Sequence, residues 1–311
     1  MDFGYGEDSS KVQDLLKRFI KQHVLPRNNE WHRRTAAGDY PMDILEPLKQ
    51  QAREDGLWNL FLPDLHEDQP GTAMSTLDYA PLAEIMGRLP WSAEIFNCSA
   101  PDSGNMELLQ RFASDKQRAH WLMPLLYGDM RSCFAMSEPD VASSDATNIA
   151  TTFTRDGNDY LIDGRKWFIT GAAHPRCRFA IVLGRDNQAE HQPEHRRHSM
   201  IIVPLDTPGL TVERNIPVMQ HQAPEGHCEL VFRKVRVPME NRLGEAGQGF
   251  AMAQARLGPG RVHHCMRTLG QCELALEMMC ERALERRMFG KPLSEFDNIK
   301  DWIAESRLEI D

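Results

Sequence analysis

The stretch FAMSEPDVASSD, residues 134–145, passes from the apolar pattern of a strand into a loop of small and hydroxyl residues. The strand pattern ends near Met136, and the loop carries Ser137, Ser143 and Ser144. Backbone N–H groups and serine hydroxyls in such a loop suit a planar heterocycle or a phosphate. The same residues taken alone fit a capped turn equally well. The stretch therefore indicates a strand that ends at a candidate binding loop.

A second stretch, KWFITG at residues 166–171, places two adjacent aromatic residues before a hydroxyl residue at the end of a strand pattern. Side chains alternate between the two faces of a strand, so we expect Trp167 and Phe168 to point in opposite directions. Phe168 and Thr170 then share a face, and only one of the two rings is able to line a cofactor site. In isolation, the segment also fits an ordinary aromatic core.

Short β-rich runs surround both stretches between residues 131 and 240, and Gly, Pro, Asp and Asn separate them. The pattern predicts a compact β domain, in which Asp156-Gly157-Asn158-Asp159 forms a hairpin turn. The runs are RSCFAMS (131–137), IATTFTR (149–155), DYLIDGRKWFITG (159–171), FAIVLG (179–184), SMIIVPL (199–205), LTVERN (210–215) and CELVFRKVRVP (228–238).

Helical patterns dominate on both sides of the β domain. Apolar residues recur at helical spacing from Val12 and stop at Pro26, Ser75 is placed to cap a helix that ends at Gly87, and another helix is expected from Ser114. After residue 249 one long apolar stripe runs through Val262, Met266, Leu269, Cys272, Leu276, Met279 and Ala283. The predicted fold class is α+β, with a helical domain at residues 1–130, the β domain at 131–240 and a further helical part at 241–311.

The overall composition is that of an ordinary globular protein, with 45 acidic and 36 basic residues and a net charge of −9. The acidic balance argues against a nucleic-acid partner and against an anionic membrane surface. The start of the chain shows neither a secretory signal nor a membrane segment, so a cytoplasmic location is expected, or a mitochondrial or peroxisomal one in a eukaryote. The seven cysteines form no CxxC pair and are interpreted as reduced thiols.

Several common chemistries lack their motifs in this sequence. It contains no GxGxxG after a strand, no Walker A loop and no GxSxG elbow, so nicotinamide, P-loop and hydrolase interpretations are disfavoured. Adjacent helical residues point about 100° apart, so His263, His264 and Cys265 are not expected to share a metal ion. His221, with His227 and Cys228, is interpreted as part of a polar loop rather than a metal site. No metal site is predicted.

Taken together, four motifs resemble the acyl-CoA dehydrogenase family. Residues 134–145 match its F-x-M-[ST]-E-P-x-x-x-S-D-type stretch, and residues 166–170 match its K-x-[WF]-I-[TS] stretch. ERRMFGKP at 285–292 is close to E-R-x-x-F-G-K/R-P. RLGPGRVHHCMR at 256–267 is similar to a branch found as the dehydrogenase part of larger animal proteins and as free-standing bacterial enzymes. The motifs occur in the family's order across nearly the whole chain.

The resemblance implies that FAD binds between the β domain and the second helical part. Backbone contacts of the 134–137 segment would hold the isoalloxazine, the Thr170 hydroxyl would lie near its N5 edge, and Trp167 or Phe168 would pack on the ring. Arg286 and Phe289 would reach the FAD of a neighbouring subunit. The implied cofactor residues are Phe134, Ala135, Met136, Ser137, Ser144, Trp167, Phe168, Ile169, Thr170, Arg286 and Phe289. The implied CoA residues are Ser143 or Ser144, together with Arg256, Gly258 and Arg261.

The implied reaction is the oxidation of an acyl-CoA to a 2-enoyl-CoA, with electrons passed to an electron-transfer flavoprotein by a homodimer or homotetramer. The sequence departs from the family in one respect. In most members of the family the catalytic carboxylate lies downstream, beyond the position of Asp311. In a minority of members it is a Glu at the position where this chain has Gly260. Glu138 belongs to the flavin loop rather than to catalysis. We therefore expect a C-terminally truncated chain without a catalytic base.

Two other classes of function stay open at this point. One is a flavin or CoA binder without catalysis, or an inactive fragment, because the expected carboxylate is missing. The other is a flavin oxidase or monooxygenase of the same fold. Met288 also stands where many relatives carry a hydroxyl residue beside the FAD phosphates.

Overall fold

In a computed structural model, residues 4–220 and 222–311 are described, and their elements run in the order helical, β, helical. His221 lies outside the described residues. The α-helices are α1 Glu7–Phe19, α2 Asn28–Ala36, α3 Met42–Glu54, α4 Thr76–Gly87, α5 Ser92–Ile95, α6 Asp102–Phe112, α7 Asp115–Gln117, α8 Met123–Leu126, α9 Gly249–Glu285 and α10 Asp297–Ile310. The strands are β1 Arg131–Ala135, β2 Thr152–Asp156, β3 Asp159–Thr170, β4 Cys177–Asp186, β5 His198–Pro204, β6 Leu210–Asn215, β7 His227–Pro238, β8 Arg242–Leu243, β9 Arg287–Met288 and β10 Lys291–Pro292.

The first helical pattern extends beyond Pro26, where the sequence predicted its end. A π-helical turn at Ile20–Val24 and a 3-10 turn at Leu25–Arg27 join α1 to α2 without a break in helical winding. Proline is tolerated there because it occupies the first turn of the 3-10 segment, where its missing N–H has no partner to lose. The helix boundary at Pro26 was therefore wrong.

The predicted helix cap at Ser75 is present, and the helix expected from Ser114 begins with a cap as well. The Ser75 hydroxyl accepts a hydrogen bond from the backbone N–H of Asp78 at 3.1 Å, and α4 ends at Gly87. Ser114 and Gln117 form a reciprocal capping box at the start of α7. Hydrogen bonds between near neighbours thus fix where α4 and α7 begin.

The β domain is built around one sheet of eight strands with the order β6-β7-β3-β2-β4-β5-β8, and β1 pairs in parallel with β4. Every β-rich run in the sequence corresponds to one of its strands, and Asp156 pairs with Asp159 across the predicted hairpin turn. Gly157 supplies the positive φ, of 64°, that this turn needs. The α+β fold class is confirmed.

The long helix α9 packs against α4 at a close crossing of two glycines. A Cβ on Gly87 would lie 2.1 Å from the Arg267 carbonyl oxygen, and a Cβ on Gly270 would lie 1.9 Å from that of Glu84. Only glycine permits this approach. The crossing sets which face of α9 is buried, so Val262 and Leu269 of the predicted apolar stripe are exposed instead.

A buried network of charges joins the first helical part to β1. Arg131 pairs with Glu94 and Asp102, and Lys49 lies 2.5 Å from Glu94. Asp102 also accepts a hydrogen bond from the backbone N–H of Ser132 at 2.7 Å. Burial raises the pKa of Asp102 to about 7 and lowers that of Lys49 to about 7. The network contains two basic and two acidic side chains, which compensate one another's charge. Its ion pairs fix the position of the first helical part relative to β1.

Glu107 on α6 lies outside that network. Its side chain is buried, and in the described part of the chain its Oε2 atom has no hydrogen-bond partner. Burial raises its pKa to about 7, although Arg111 and Arg256 partly oppose the shift.

No described helix is long and apolar enough to cross a bilayer.

Replacing Glu107 by glutamine tests this burial. The pKa of Glu107 is higher in the folded than in the unfolded chain, so ionisation destabilises the fold as pH rises from about 4.5 to about 7. Glu107→Gln should therefore raise the free energy of unfolding by on the order of 2–3 kcal/mol at pH 8 and change little at pH 4.5. Urea unfolding at both pH values measures the difference. The exposed Glu54→Gln serves as the control, and an equal effect of Glu107→Gln at both pH values would contradict the assignment.

Candidate functional site

A bulge near the end of β3 turns the second sequence motif toward a cleft. The register between β3 and β7 shifts between Lys166 and Ile169, and Phe168 adopts a φ of +53°. The Trp167 and Phe168 ring centroids are 4.9 Å apart, so the two rings do not point to opposite faces as expected. A bulge adds a residue to one strand and interrupts the alternation of side chains. Phe168 remains 44% exposed, and it lines the cleft together with Thr170.

The cleft has a volume of about 490 Å³ and lies where three parts of the chain meet. Its walls come from the end of β1, from the adjoining ends of β3 and β7, from α9, and from the segment between α4 and α6. The lining residues are Gly87, Pro90, Ala93, Ser99, Ala100, Pro101, Phe134, Phe168, Thr170, His227, Arg256, His264, Arg267, Thr268 and Gln271.

A buried ion pair fixes the loop that follows β1. The Lys166 ammonium is fully buried, and it donates to Glu138 Oε1 at 2.8 Å and to the carbonyl oxygens of Met136 and Leu183 at 2.9 and 2.7 Å. The Glu138 carboxylate also accepts from the backbone N–H groups of Ala150 and Thr151 at 2.8 and 2.9 Å. Both oxygens of Glu138 are thereby engaged in holding the loop.

The electrostatics of the pair follow from its position. Burial lowers the pKa of Lys166 to about 8, and Glu138 opposes that shift. Burial alone would raise the pKa of Glu138, but Lys166 and the donors from Thr151 and Ala150 outweigh it and hold that pKa below its usual range. The carboxylate is therefore stabilised as an anion.

The two serines of the loop have different surroundings. The Ser143 hydroxyl accepts from the Glu138 backbone N–H at 2.7 Å and lies 3.1 Å from the Glu138 carbonyl oxygen, so it closes the loop on itself. Ser144 is exposed, and its side chain makes no hydrogen bond within the described residues. Of the two candidates, Ser144 is the one whose hydroxyl is available to a ligand.

Arg256 departs from its expected place at the nucleotide end of CoA. Its guanidinium lies 3.9 Å from the centroid of the Phe134 ring, and it donates to Asn105 Oδ1 at 2.9 Å and to the Pro101 carbonyl oxygen at 3.1 Å. Burial lowers its pKa to about 10. The side chain thus forms part of the inner wall of the cleft, because its helix packs directly on α6.

Gly258 and Arg261, the other residues of α9 that were predicted for CoA, are not among the lining residues of the cleft. Arg261 is exposed, and within the described residues its one side-chain hydrogen bond goes to the Leu257 carbonyl oxygen at 3.1 Å. A Cβ added at Gly258 or at Gly260 would meet no atom within 4 Å. This stretch of α9 therefore leaves open space beside it.

Arg286 and Phe289 lie at the far end of α9. Both are exposed, and Phe289 is 87% accessible on the short β9–β10 hairpin. A rise of about 1.5 Å per residue separates Arg286 from Gln271, the last cleft residue on the helix, by roughly 22 Å. Neither Arg286 nor Phe289 lines the cleft of its own chain.

His227 is a cleft residue whose role sequence reasoning missed. Its Nδ1 atom lies 3.0 Å from Thr170 Oγ1. The only signal in the sequence was its place directly before a β-rich run, which does not show that β7 pairs with the end of β3. His263 is buried against Tyr79 and Phe61, whereas the next residue along, His264, lines the cleft. Among residues 4–220 and 222–311, no three His, Cys, Asp or Glu side chains are placed to hold a metal ion.

Comparison with known proteins identifies the family. Models of the acyl-CoA dehydrogenase N-terminal, middle and C-terminal domains match residues 6–129, 133–235 and 247–311. The probable acyl-CoA dehydrogenase FadE2 of Mycobacterium tuberculosis is 49% identical over the whole chain and 76% of its own length. Acyl-CoA dehydrogenase family member 11 of Gallus gallus is 46% identical over 97% of this chain and 40% of its own.

A solved structure from Mycobacterium abscessus, provisionally assigned as an acyl-CoA dehydrogenase, has a TM-score of 0.90 and 44% identity over 99% of this chain and 77% of that one. Proteins of the acyl-CoA dehydrogenase family are flavin-dependent oxidoreductases that act on CH–CH bonds. The chain belongs to the acyl-CoA dehydrogenase family.

The Lys166–Glu138 pair is open to a direct test. Glu138→Gln keeps the shape of the side chain but leaves the Lys166 ammonium buried without a counter-charge. We expect the free energy of unfolding of the β domain to fall by about 3–5 kcal/mol. Urea unfolding followed by near-UV circular dichroism measures this loss.

The matched control is Glu190→Gln, which removes an exposed partner of Arg185 and should change stability by less than about 1 kcal/mol. A second variant, Glu138→Gln combined with Lys166→Met, should recover part of the loss. If Glu138→Gln behaves like the control, the pair does not hold the loop.

Proposed function

We propose that this protein carries out the FAD-dependent α,β-dehydrogenation of an acyl-CoA to a 2-enoyl-CoA. The observation that carries the proposal is the bulge in β3. It turns an aromatic ring, Phe168, and a hydroxyl, Thr170, into a cleft whose opposite wall is α9. Family membership supplies the reaction class, and the cleft supplies residues suited to it.

The cleft has the chemistry that a flavin ring system requires. A planar, largely apolar ring needs an aromatic face, and Phe168 offers one that is 44% exposed. The ring also needs a hydrogen-bond partner at its edge, which the Thr170 hydroxyl supplies. A rigid loop beside it, held by the Lys166–Glu138 pair, completes a site of the size usual for cofactors.

FAD, when bound, supplies the acceptor for the hydride that leaves the substrate β-carbon. The protein's task is to hold the acyl group against the ring and to exclude water. Phe168 covers one face of the ring, and Thr170 fixes its edge. Ser144 binds the phosphopantetheine, and Arg261, exposed on the outer face of α9, binds the nucleotide end of CoA. Arg256 stays in the inner wall and does not contact the nucleotide.

The proton on the α-carbon needs a base, and none of the residues that line the cleft in the described part of the chain is an Asp or a Glu. Glu138 is occupied by Lys166 and two backbone N–H groups. By the family resemblance, the base is a carboxylate that is not among these lining residues.

The far end of α9 provides the contact between subunits in this proposal. Arg286 and Phe289 are exposed and lie roughly 22 Å along the helix from the last cleft residue, Gln271, so they reach the FAD of a second copy in a homodimer or homotetramer. The Arg286 guanidinium suits a pyrophosphate because it donates in a planar fork. An electron-transfer flavoprotein accepts the electrons.

The first experiment is the visible spectrum of the purified chain after incubation with FAD and desalting. We expect the flavin band to be retained. Phe168→Ala should raise the dissociation constant for FAD about tenfold, because an aromatic contact with the ring contributes about 1.4 kcal/mol. Fluorescence titration measures the change.

The control for that experiment is Val212→Ala, which removes another exposed apolar side chain from the same sheet and should shift the constant less than about twofold. Absence of a retained band in the unmodified chain would contradict flavin binding by this chain. A retained band with equal constants for all three proteins would contradict the placement of the ring on Phe168.

A second experiment adds a carboxylate to α9 at the position where a minority of the family carries its base. Gly260→Glu places one on α9 where a Cβ meets open space. We expect the unmodified chain with FAD to keep its flavin band when butyryl-CoA or palmitoyl-CoA is added anaerobically. The variant should lose the band, because it provides the base. Stopped-flow absorbance follows the loss.

Gln254→Glu is the matched control, since it adds the same charge at an exposed position of the same helix. It should leave the band unchanged. If Gly260→Glu retains FAD but never bleaches with either acyl-CoA, the proposed position of the acyl group along α9 is wrong. Bleaching by the unmodified chain would place a base among the residues already present.

A further inference from the structure

His227 is held in a fixed position beside Thr170. The two residues are paired across the ends of β7 and β3, and His227 Nδ1 lies 3.0 Å from Thr170 Oγ1. The His227 backbone N–H donates to Asn215 Oδ1 at 2.7 Å, and its carbonyl oxygen accepts from the Ile216 N–H at 3.0 Å. Asn215 is itself anchored to the Ala223 carbonyl oxygen at 3.1 Å. These contacts fix the His227 backbone beside Thr170.

The imidazole has a single hydrogen-bond partner in the described part of the chain. Its Nδ1 atom contacts Thr170, and no hydrogen bond is made by Nε2. The charged and titratable groups on the other walls of the cleft are Arg256, His264 and Arg267. No carboxylate fixes which ring nitrogen carries the proton, so both tautomers of the neutral ring are accessible.

The tautomer decides what Thr170 presents to the cleft. When Nδ1 carries the proton, it donates to Thr170 Oγ1, and the hydroxyl proton is free to point into the cleft. When Nε2 carries the proton, the hydroxyl donates to Nδ1, and an oxygen lone pair faces the cleft instead. One pair of side chains thus presents either a donor or an acceptor without moving a heavy atom.

The proposed cofactor requires both arrangements. The N5 atom of a flavin accepts a hydrogen bond in the oxidised form and carries a hydrogen, which makes it a donor, in the reduced form. We propose that His227 is a positioning residue that sets the direction of the Thr170 hydroxyl proton and changes tautomer with the redox state of FAD. This inference rests on the proposed function, because it requires FAD to lie against Thr170.

The test is to record the ¹⁵N resonances of the His227 ring in the chain loaded with FAD, before and after reduction by dithionite, at about pH 8.5. We expect the Nδ1–H tautomer to dominate in the oxidised sample and the Nε2–H tautomer in the reduced one. Thr170→Val should abolish the change. His198, whose Nε2 lies 3.1 Å from the Ile149 carbonyl oxygen, is the internal control and should not respond.

Affinity for FAD gives an independent readout. Thr170→Val and His227→Leu should each raise the dissociation constant about fivefold, corresponding to one hydrogen bond of about 1 kcal/mol, and the double variant should be no worse than either alone. His227→Asn, which keeps a donor and an acceptor near the Nδ1 position, should restore most of the affinity.

The outcomes distinguish failure of the proposed function from failure of the inference about His227 alone. Failure of the unmodified chain to hold FAD would contradict the proposed function and this inference with it. Retained FAD with the same His227 tautomer in both redox states would overturn this inference alone, and so would a change of tautomer that persists in Thr170→Val. Additive losses in the double variant would also overturn it, because they would show that the two side chains act separately.

Discussion

The Lys166 ammonium is the interaction on which the geometry of the site depends. A fully buried cation must be surrounded by oxygen atoms, and Lys166 finds three of them in the loop after β1 and in β4. Because Lys166 itself lies on β3 just before the bulge, the same contacts fix the start of Trp167-Phe168. One side chain thus sets the relative position of the two sequence motifs.

The cleft itself is formed by packing between distant parts of the chain. Its far wall is α9, which crosses α4 at Gly87 and Gly270, where only glycine allows the two backbones to approach. That crossing turns Arg256 inward against Phe134 and leaves Arg261 on the outer face. The division between an inner wall and a solvent-facing surface on α9 is therefore a consequence of helix packing, not of the residue types alone.

The length of α9 separates two kinds of functional residue. Those between Arg256 and Gln271 line the cleft, and those just past its end are exposed roughly 22 Å beyond Gln271. A continuous helix of 37 residues keeps the two sets apart within one chain. This separation is the physical reason for the proposal that the site takes residues from two copies.

The sequence by itself determined the α+β class, the positions of strands β1 to β7, the hairpin at Asp156–Asp159 and the helix cap at Ser75. These features follow from local periodicity and hydrogen bonds between near neighbours, which a single sequence records. It also identified the family, because four motifs carry the resemblance.

Only the tertiary structure decided what surrounds those residues. The bulge at Phe168 depends on the register with β7, the burial of Arg256 depends on α6, and the pairing of His227 with Thr170 joins residues 57 positions apart. The helical winding through Pro26 likewise required the π-helical turn before it. Such contacts are set by how strands and helices meet across the chain, and the spacing of residues along one segment contains no record of them.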